Sequence, residues 1–219
     1  MLVKDFMSTD VVTVREDQSM LEAREILRGK NLISLPVVDD IKRNRGIITI
    51  DDIGKASPSE SSTLSRYEAN YLLGRLKVKD VMGRNVSTVE EDDTIEYVAY
   101  KLNKSRVNAL PVLGTDGKLI GIITRSDMFR AFVEIMGVNR PCLRFSLTAP
   151  DKVGVVAEIS GIMRDLGVNI ISLAALQNND GTAEITIRCN LNNNGMDVIE
   201  KIREAGYPVE DIMTLDGLE

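Results

Sequence analysis

The chain has 219 residues, 43% hydrophobic and 27% charged with no tryptophan, a globular composition long enough for one large or two modest domains with aliphatic cores. Residues 1–141 set 21 basic against 21 acidic side chains and residues 142–219 set 6 against 12, so the net charge of −6 resides in the last third and no basic excess points to a nucleic-acid backbone. Histidine is absent and cysteine occurs twice, which removes His-based nucleophiles, HExxH zinc sites, His general bases and a secreted disulfide scaffold.

No apolar run reaches membrane-spanning length, and acidic Asp5 stands where a signal peptide would need its apolar region. The expectation is a cytoplasmic protein that engages neither nucleic acid nor membrane. From the N-terminus, Val3-Lys4-Asp5-Phe6-Met7 leads to the β-branched run Val12-Thr13-Val14, after which Met20, Ala23 and Leu27 fall at helical spacing. Ser19 is placed to cap that helix and Glu22 to complete a capping box. Two strands come next, Ser34 to Val38 and Arg45 to Ile50, with a short helix after Asp51. Ser57-Pro58-Ser59-Glu60-Ser61-Ser62 reads as a loose polar linker. Leu64 to Leu76 reads as a helix with Leu64, Tyr67, Tyr71 and Leu72 predicted buried.

At Val78 the pattern begins again. Val78-Lys79-Asp80-Val81-Met82 repeats the opening, Leu110-Pro111-Val112 repeats Leu35-Pro36-Val37, and Gly121-Ile122-Ile123-Thr124…Asp127 repeats Gly46-Ile47-Ile48-Thr49…Asp52, all at an offset of 75 residues without a gap. Thr94 takes the cap position before the stripe Ile95, Val98, Ala99 and Leu102. Strands Ala109 to Leu113 and Leu119 to Thr124 flank Asp116-Gly117, a hairpin signal, and a second helix runs from Ser126 to about Met136. Paired modules of this length pack against each other, and clefts between similar units suit small ligands.

Gly137-Val138-Asn139-Arg140-Pro141 ends this pattern. Beyond it Leu143, Phe145 and Leu147 alternate as a strand, and Val155, Ile159, Ile162, Met163 and Leu166 keep helical spacing up to Gly167. Val168 to Leu176 and Ala183 to Cys189 flank the turn Asn178-Asn179-Asp180-Gly181. Val198, Ile199, Ile202 and Ala205 form a helix, and Pro208 to Leu215 a last strand. The order βαββαβ is ferredoxin-like. Cys142 and Cys189 fall on neighbouring strands and read as core thiols, with a redox pair as the alternative.

The repeated Leu-Pro-Val and Gly-Ile-Ile-Thr-x-x-Asp segments resemble tandem CBS domains, the pair called a Bateman module. Asp151-Lys152-Val153-Gly154-Val155 and Gly167-Val168-Asn169-Ile170 resemble an ACT domain. The whole order, with its helical insert, resembles the acetoin-utilisation B-type proteins. The fold class this implies is α+β (mixed α/β): two βαββα CBS domains, 1–56 and 78–137, a linker and helix at 57–77, and a βαββαβ ACT domain at 138–219.

The resemblance implies a non-enzymatic regulator that binds an adenosyl ligand (AMP, ADP, ATP or S-adenosylmethionine), requires no cofactor and holds no metal or catalytic residue. In the motif the Thr hydroxyl meets a phosphate and the Asp carboxylate takes both ribose hydroxyls. Carried over, these are Thr49 with Asp52 and Thr124 with Asp127; the same residues are also ordinary helix caps. Adenine would lie against Val14, Ser34 and Leu35 in the first copy and Val89, Ala109 and Leu110 in the second. Arg125 beside Thr124 favours phosphate, whereas Asp51 beside Asp52 repels it, which ranks the second copy as the nucleotide site and leaves the first to a nucleoside-like ligand or none. At the ACT end Asp151, Gly154 and Asn169 are the residues for an amino acid at a dimer interface. A homodimer and a regulated partner protein are implied. The alternatives are a constitutive dimeric scaffold with vestigial clefts, and an enzyme with Mg²⁺ on Asp51 and Asp52.

Overall fold

A computed structural model of the protein describes residues 1–57, 65–191 and 195–217. Contacts divide the chain into two compact units, Met1–Phe129 and Arg130–Glu219. The expected boundary at Gly137 lies at the end of a helix, but the last turn of that helix is tied to the C-terminal part of the chain: the Ser172 hydroxyl donates to the Met136 carbonyl at 2.9 Å. The division by contacts thus falls inside that helix.

In the first unit a 3-10 turn, Val3–Asp5, precedes β1 (Val14–Arg15), α1 (Met20–Gly29), β2 (Ser34–Val38), β3 (Asn44–Thr49) and α2 (Ile50–Ala56). After α3 (Arg66–Arg75) the same order returns as α4 (Val78–Val81), β4 (Val89–Glu90), α5 (Ile95–Ser105), β5 (Ala109–Leu113), β6 (Leu119–Thr124) and α6 (Arg125–Met136). Each copy builds a three-stranded sheet, β1-β2-β3 and β4-β5-β6, with the first pair parallel and the second antiparallel. Ser19 and Glu22 form the expected reciprocal box at the start of α1. Thr94 caps α5 through the Tyr97 N–H, but Tyr97 has no carboxylate to return the bond.

The two copies exchange their first residues. Ile47 in β3 trades two backbone hydrogen bonds of 3.0 Å with Gly83, and Ile122 in β6 trades bonds of 2.9 and 3.0 Å with Ser8. The opening segment of each copy thus lies along the last strand of the other. The core of the first copy, built on Met20, Leu27, Leu35 and Ile48, is completed by Val78 and Met82 from the second. Each such buried side chain contributes about 1.5–3 kcal/mol, so the first copy does not close its core alone.

The motif glycines are a consequence of this exchange. A Cβ on Gly46 would stand 2.5 Å from the Gly83 carbonyl oxygen, and one on Gly121 2.6 Å from the Met7 sulfur.

Helix α3 forms as expected but turns the other way. Tyr67 is 84% exposed, Tyr71 59% and Leu72 49%, while Leu73 is buried. Both stripes have helical spacing; α3 packs on α1, and the narrower Leu73 edge, with Ala69 half-buried beside it, fits that contact. Leu64 and most of the polar linker lie outside the described residues.

The second unit carries β7 (Cys142–Pro150), α7 (Val155–Asp165), β8 (Ile170–Gln177), β9 (Thr182–Asn190), α8 (Gly195–Glu204) and β10 (Val209–Leu215) in a sheet of order β10-β7-β9-β8. This is the ferredoxin-like arrangement. Phe145, Leu147, Ile185 and Ile187 face Ile159, Met163, Ile199 and Ile202 of the two helices.

Cys189 pairs with Leu143 and Cys142 with Asn190, so the two thiols point to opposite faces of the sheet. This register rules out the redox pair. Both are buried and free, and burial pushes the Cys189 thiol up to about 11.

Among the described residues no helix is long and apolar enough to cross a membrane.

Candidate functional site

Both Thr-x-x-Asp segments sit where a strand turns directly into a helix, and both form the same capping box. The Thr49 hydroxyl donates to Asp52 Oδ2 at 2.6 Å, the Thr49 N–H donates to the same oxygen at 2.9 Å, and the Asp52 N–H returns a bond of 3.2 Å to Thr49 Oγ1. Thr124 and Asp127 repeat these bonds at 2.7, 2.8 and 3.3 Å. The box fixes each carboxylate at the strand end, and Oδ1 of Asp52 takes no part in it.

Thr49 and Asp52 open onto a cleft of about 560 Å³, within the size range of small-molecule sites. One wall is the first copy: Ser34, Thr49, Asp51, Asp52 and Lys55. The other is the second copy: Gly83, Asn85 to Ser87, and Ser105 to Leu110. The strand exchange dictates this composition, because the bond from Ile47 to Gly83 brings the opening of the second copy against the end of β3.

This corrects the assignment of one site to each copy. Ala109 and Leu110, expected beside Thr124, line the cleft of Thr49 and Asp52. Ser34 lines it as well, but Val14 and Leu35 are core side chains, 1% and 0% exposed, outside the cleft wall. Val89 is also core and borders a different hollow, of about 770 Å³, lined by Glu90, Asp92, Asp93 and Lys101. That hollow is larger, but neither Thr-x-x-Asp segment reaches it.

Arg125 is not on the cleft wall, but its Nε donates to the carbonyl of Val107, which is, at 3.0 Å. Sequence reasoning missed Lys55, Arg106 and Asn108, which line the cleft. The motif-to-motif comparison passed over Arg106 because its counterpart 75 residues earlier is Asn31, in a segment assigned no role.

At the other end, Gly154 (φ +102) precedes α7 in the left-handed conformation and Val153 is fully exposed. Asp151 lies in the same turn, its N–H donating to Gly181. Asn169 lies beyond α7, at the opposite end of a helix of 11 residues, about 16 Å long. One chain therefore does not bring Asn169 together with Asp151 and Gly154. Among the described residues no group of three or more His, Cys, Asp or Glu is placed to hold a metal ion.

The CBS domain model matches residues 3–59 and 78–134, more than half of the chain. The chain belongs to the CBS domain family. It is 34% identical over 131 residues to the L-aspartate semialdehyde sulfurtransferase of Methanocaldococcus jannaschii, covering 60% of this chain and 23% of that enzyme. The curated enzymes that match are thus spanned over about a quarter of their length. Among solved structures, the CBS domain pair of protein MJ0100 in complex with 5′-methylthioadenosine and S-adenosyl-L-methionine is 32% identical with a TM-score of 0.50, covering 60% of this chain and 99% of that one. CBSX2 of Arabidopsis thaliana, solved in complex with AMP, is 30% identical with a TM-score of 0.51, covering 61% and 97%.

Proposed function

We propose that the protein is a non-catalytic sensor that binds an adenosyl ligand in the composite cleft and passes the ligand state to a partner. The observation that carries this reading is the cleft itself. A fixed carboxylate suited to a ribose edge comes from one copy, and the apolar floor of Ala109 and Leu110 comes from the other, in a fold whose relatives were solved with AMP, 5′-methylthioadenosine and S-adenosyl-L-methionine. A ligand bridging both walls holds the copies in one packing. That differential affinity is what a regulatory shift requires.

The four-part division, CBS 1–56, linker and helix 57–77, CBS 78–137 and ACT 138–219, belongs to the same proposal. The ferredoxin-like second unit supports the ACT assignment. Because Asp151 and Gly154 lie at one end of α7 and Asn169 at the other, an amino acid held by all three needs two chains, as in a homodimer. The domain order supports a role like that of the acetoin-utilisation B-type proteins, acting on a metabolic partner in the cytoplasm.

The test is a thermal-shift panel of AMP, ADP, ATP, S-adenosylmethionine, 5′-methylthioadenosine and the twenty amino acids. A ligand at 100 times its dissociation constant adds about 2.7 kcal/mol of stability. An adenosyl-specific rise that Asp52→Ala removes is the expected result. No rise with any adenosyl compound would overturn the reading and favour the constitutive scaffold.

A further inference from the structure

Arg106 closes α5 with φ 54 and ψ 35, a left-handed conformation. Outside glycine, that region favours Asn and Asp, whose short polar side chains bond locally; among the described residues Lys42 (φ 62) is the other long side chain held there. The twin position obeys the rule: it is Asn31, also left-handed with φ 52. The backbone geometry is thus shared by the copies, while the second fills it with a long cation. A disfavoured residue held at a cleft wall is an observation from which a functional role is inferred.

The charges around it define that role. Arg106 is exposed, lines the composite cleft, and has no hydrogen bond or ion pair from its guanidinium among the described residues. The other charged residues of the cleft are Asp51, Asp52 and Lys55. Asp52 is held by its capping box, and Asp51 precedes Lys55 by four residues on α2, the order in which opposite charges on a helix offset each other. Arg106 is the cleft's cation on the wall opposite these carboxylates. Its neighbour Val107 is braced by Arg125 at 3.0 Å, so the segment that carries Arg106 is positioned in advance.

We infer that Arg106 is the residue by which this cleft selects an adenosine 5′-phosphate over an adenosyl ligand with an uncharged 5′ group. The proposal rests on the adenosyl reading of the cleft. With the ribose on Asp52 and the base against Ala109 and Leu110, the 5′-phosphate is the part of the ligand left without a partner, and Arg106, three residues before Ala109 on the same wall, offers a guanidinium that takes phosphate oxygens through two parallel N–H donors. The charge ranking read from the sequence, which gave the phosphate to Arg125 and the second motif, is reversed because the wall facing Asp52 comes from the other copy.

Calorimetric titration of the full chain with AMP and with 5′-methylthioadenosine tests this, since the two differ at the 5′ position. Arg106→Asn, the twin's own residue, keeps the left-handed turn. It is expected to weaken AMP about tenfold or more, as for loss of a charge-assisted hydrogen bond, and to change 5′-methylthioadenosine less than about twofold. Ligand-free Arg106→Asn should melt no lower than the parent, which separates a binding role from a structural one. Equal weakening of both ligands, no change for AMP, or a parent protein that binds 5′-methylthioadenosine but not AMP would each overturn the role of Arg106 and leave the adenosyl reading standing. A parent that binds neither would overturn both.

Discussion

The two Thr-x-x-Asp segments have the same hydrogen bonds to within about a tenth of an ångström and different surroundings. Thr49 and Asp52 border the composite cleft, faced by Arg106, Asn108 and Ala109 of the other copy. Asp127 is buried, 8% exposed, and Nε of its neighbour Arg125 donates to the Val107 carbonyl. A motif in a repeated module therefore specifies its own turn and carboxylate geometry, while the chemistry that faces it is set by whichever copy supplies the wall. Reading each copy as a self-contained site fails for that reason.

The largest expected asymmetry lies in the motif glycines. Gly46→Ala drives a methyl into the Gly83 carbonyl, which is backbone fixed by two hydrogen bonds, whereas Gly121→Ala meets first the movable end of Met7, with the Ser8 carbonyl at 3.2 Å. Overpacking of this kind costs about 1–3 kcal/mol. Gly46→Ala should fall at the upper end and Gly121→Ala at the lower, read as denaturation midpoints. Equal losses would show that the two exchanges are equally rigid.

The helix caps should differ by less. Ser19→Ala removes two of the three bonds of its box and Thr94→Ala a single bond, so the first should cost about 1 kcal/mol and the second about half that. The box also has a pH signature. Hydrogen bonds from the Ser19 backbone N–H and then its hydroxyl hold the Glu22 carboxyl below its ordinary value. The stabilisation is therefore present above the unfolded carboxyl's titration near 4.5 and lost as pH falls through the folded value. Because Ser19→Ala keeps the backbone bond to Glu22, Glu22→Gln is the variant that reads this: its cost should be full at pH 7 and vanish on acidification, and a cost that persists in acid would mean that the Glu22 charge takes no part.

The smallest effect concerns the thiols. With Cys189 titrating at about 11 and both cysteines buried, neither should be alkylated by iodoacetamide at pH 8 in the native protein, and both should be in urea. Rapid native labelling, read by mass spectrometry, would contradict the packing of β7 against β9.

Much of this was legible in the residues themselves. The repeat at one offset fixed the order of strands and helices in both copies, since Leu35-Pro36-Val37 and Leu110-Pro111-Val112 can fill only matching core strands. The ferredoxin-like order came from the alternation in Leu143, Phe145 and Leu147 and the helical spacing after Val155. The exchange was hidden because it is made of backbone bonds at Ser8 and Gly83, which no side-chain periodicity reports. Its one trace is the glycine shared by both motifs, a residue that close backbone approach demands. The α3 face was misread because its two apolar stripes have equal claim by spacing, and only the surface of α1 decides between them.

The composite cleft is tested most directly by a crystal structure with AMP bound. The account predicts the ribose hydroxyls on Asp52 and the base against Ala109 and Leu110, so that one ligand touches both copies. A base resting on first-copy residues alone, or a ribose on Asp127 with its base beside Ala109, would contradict it.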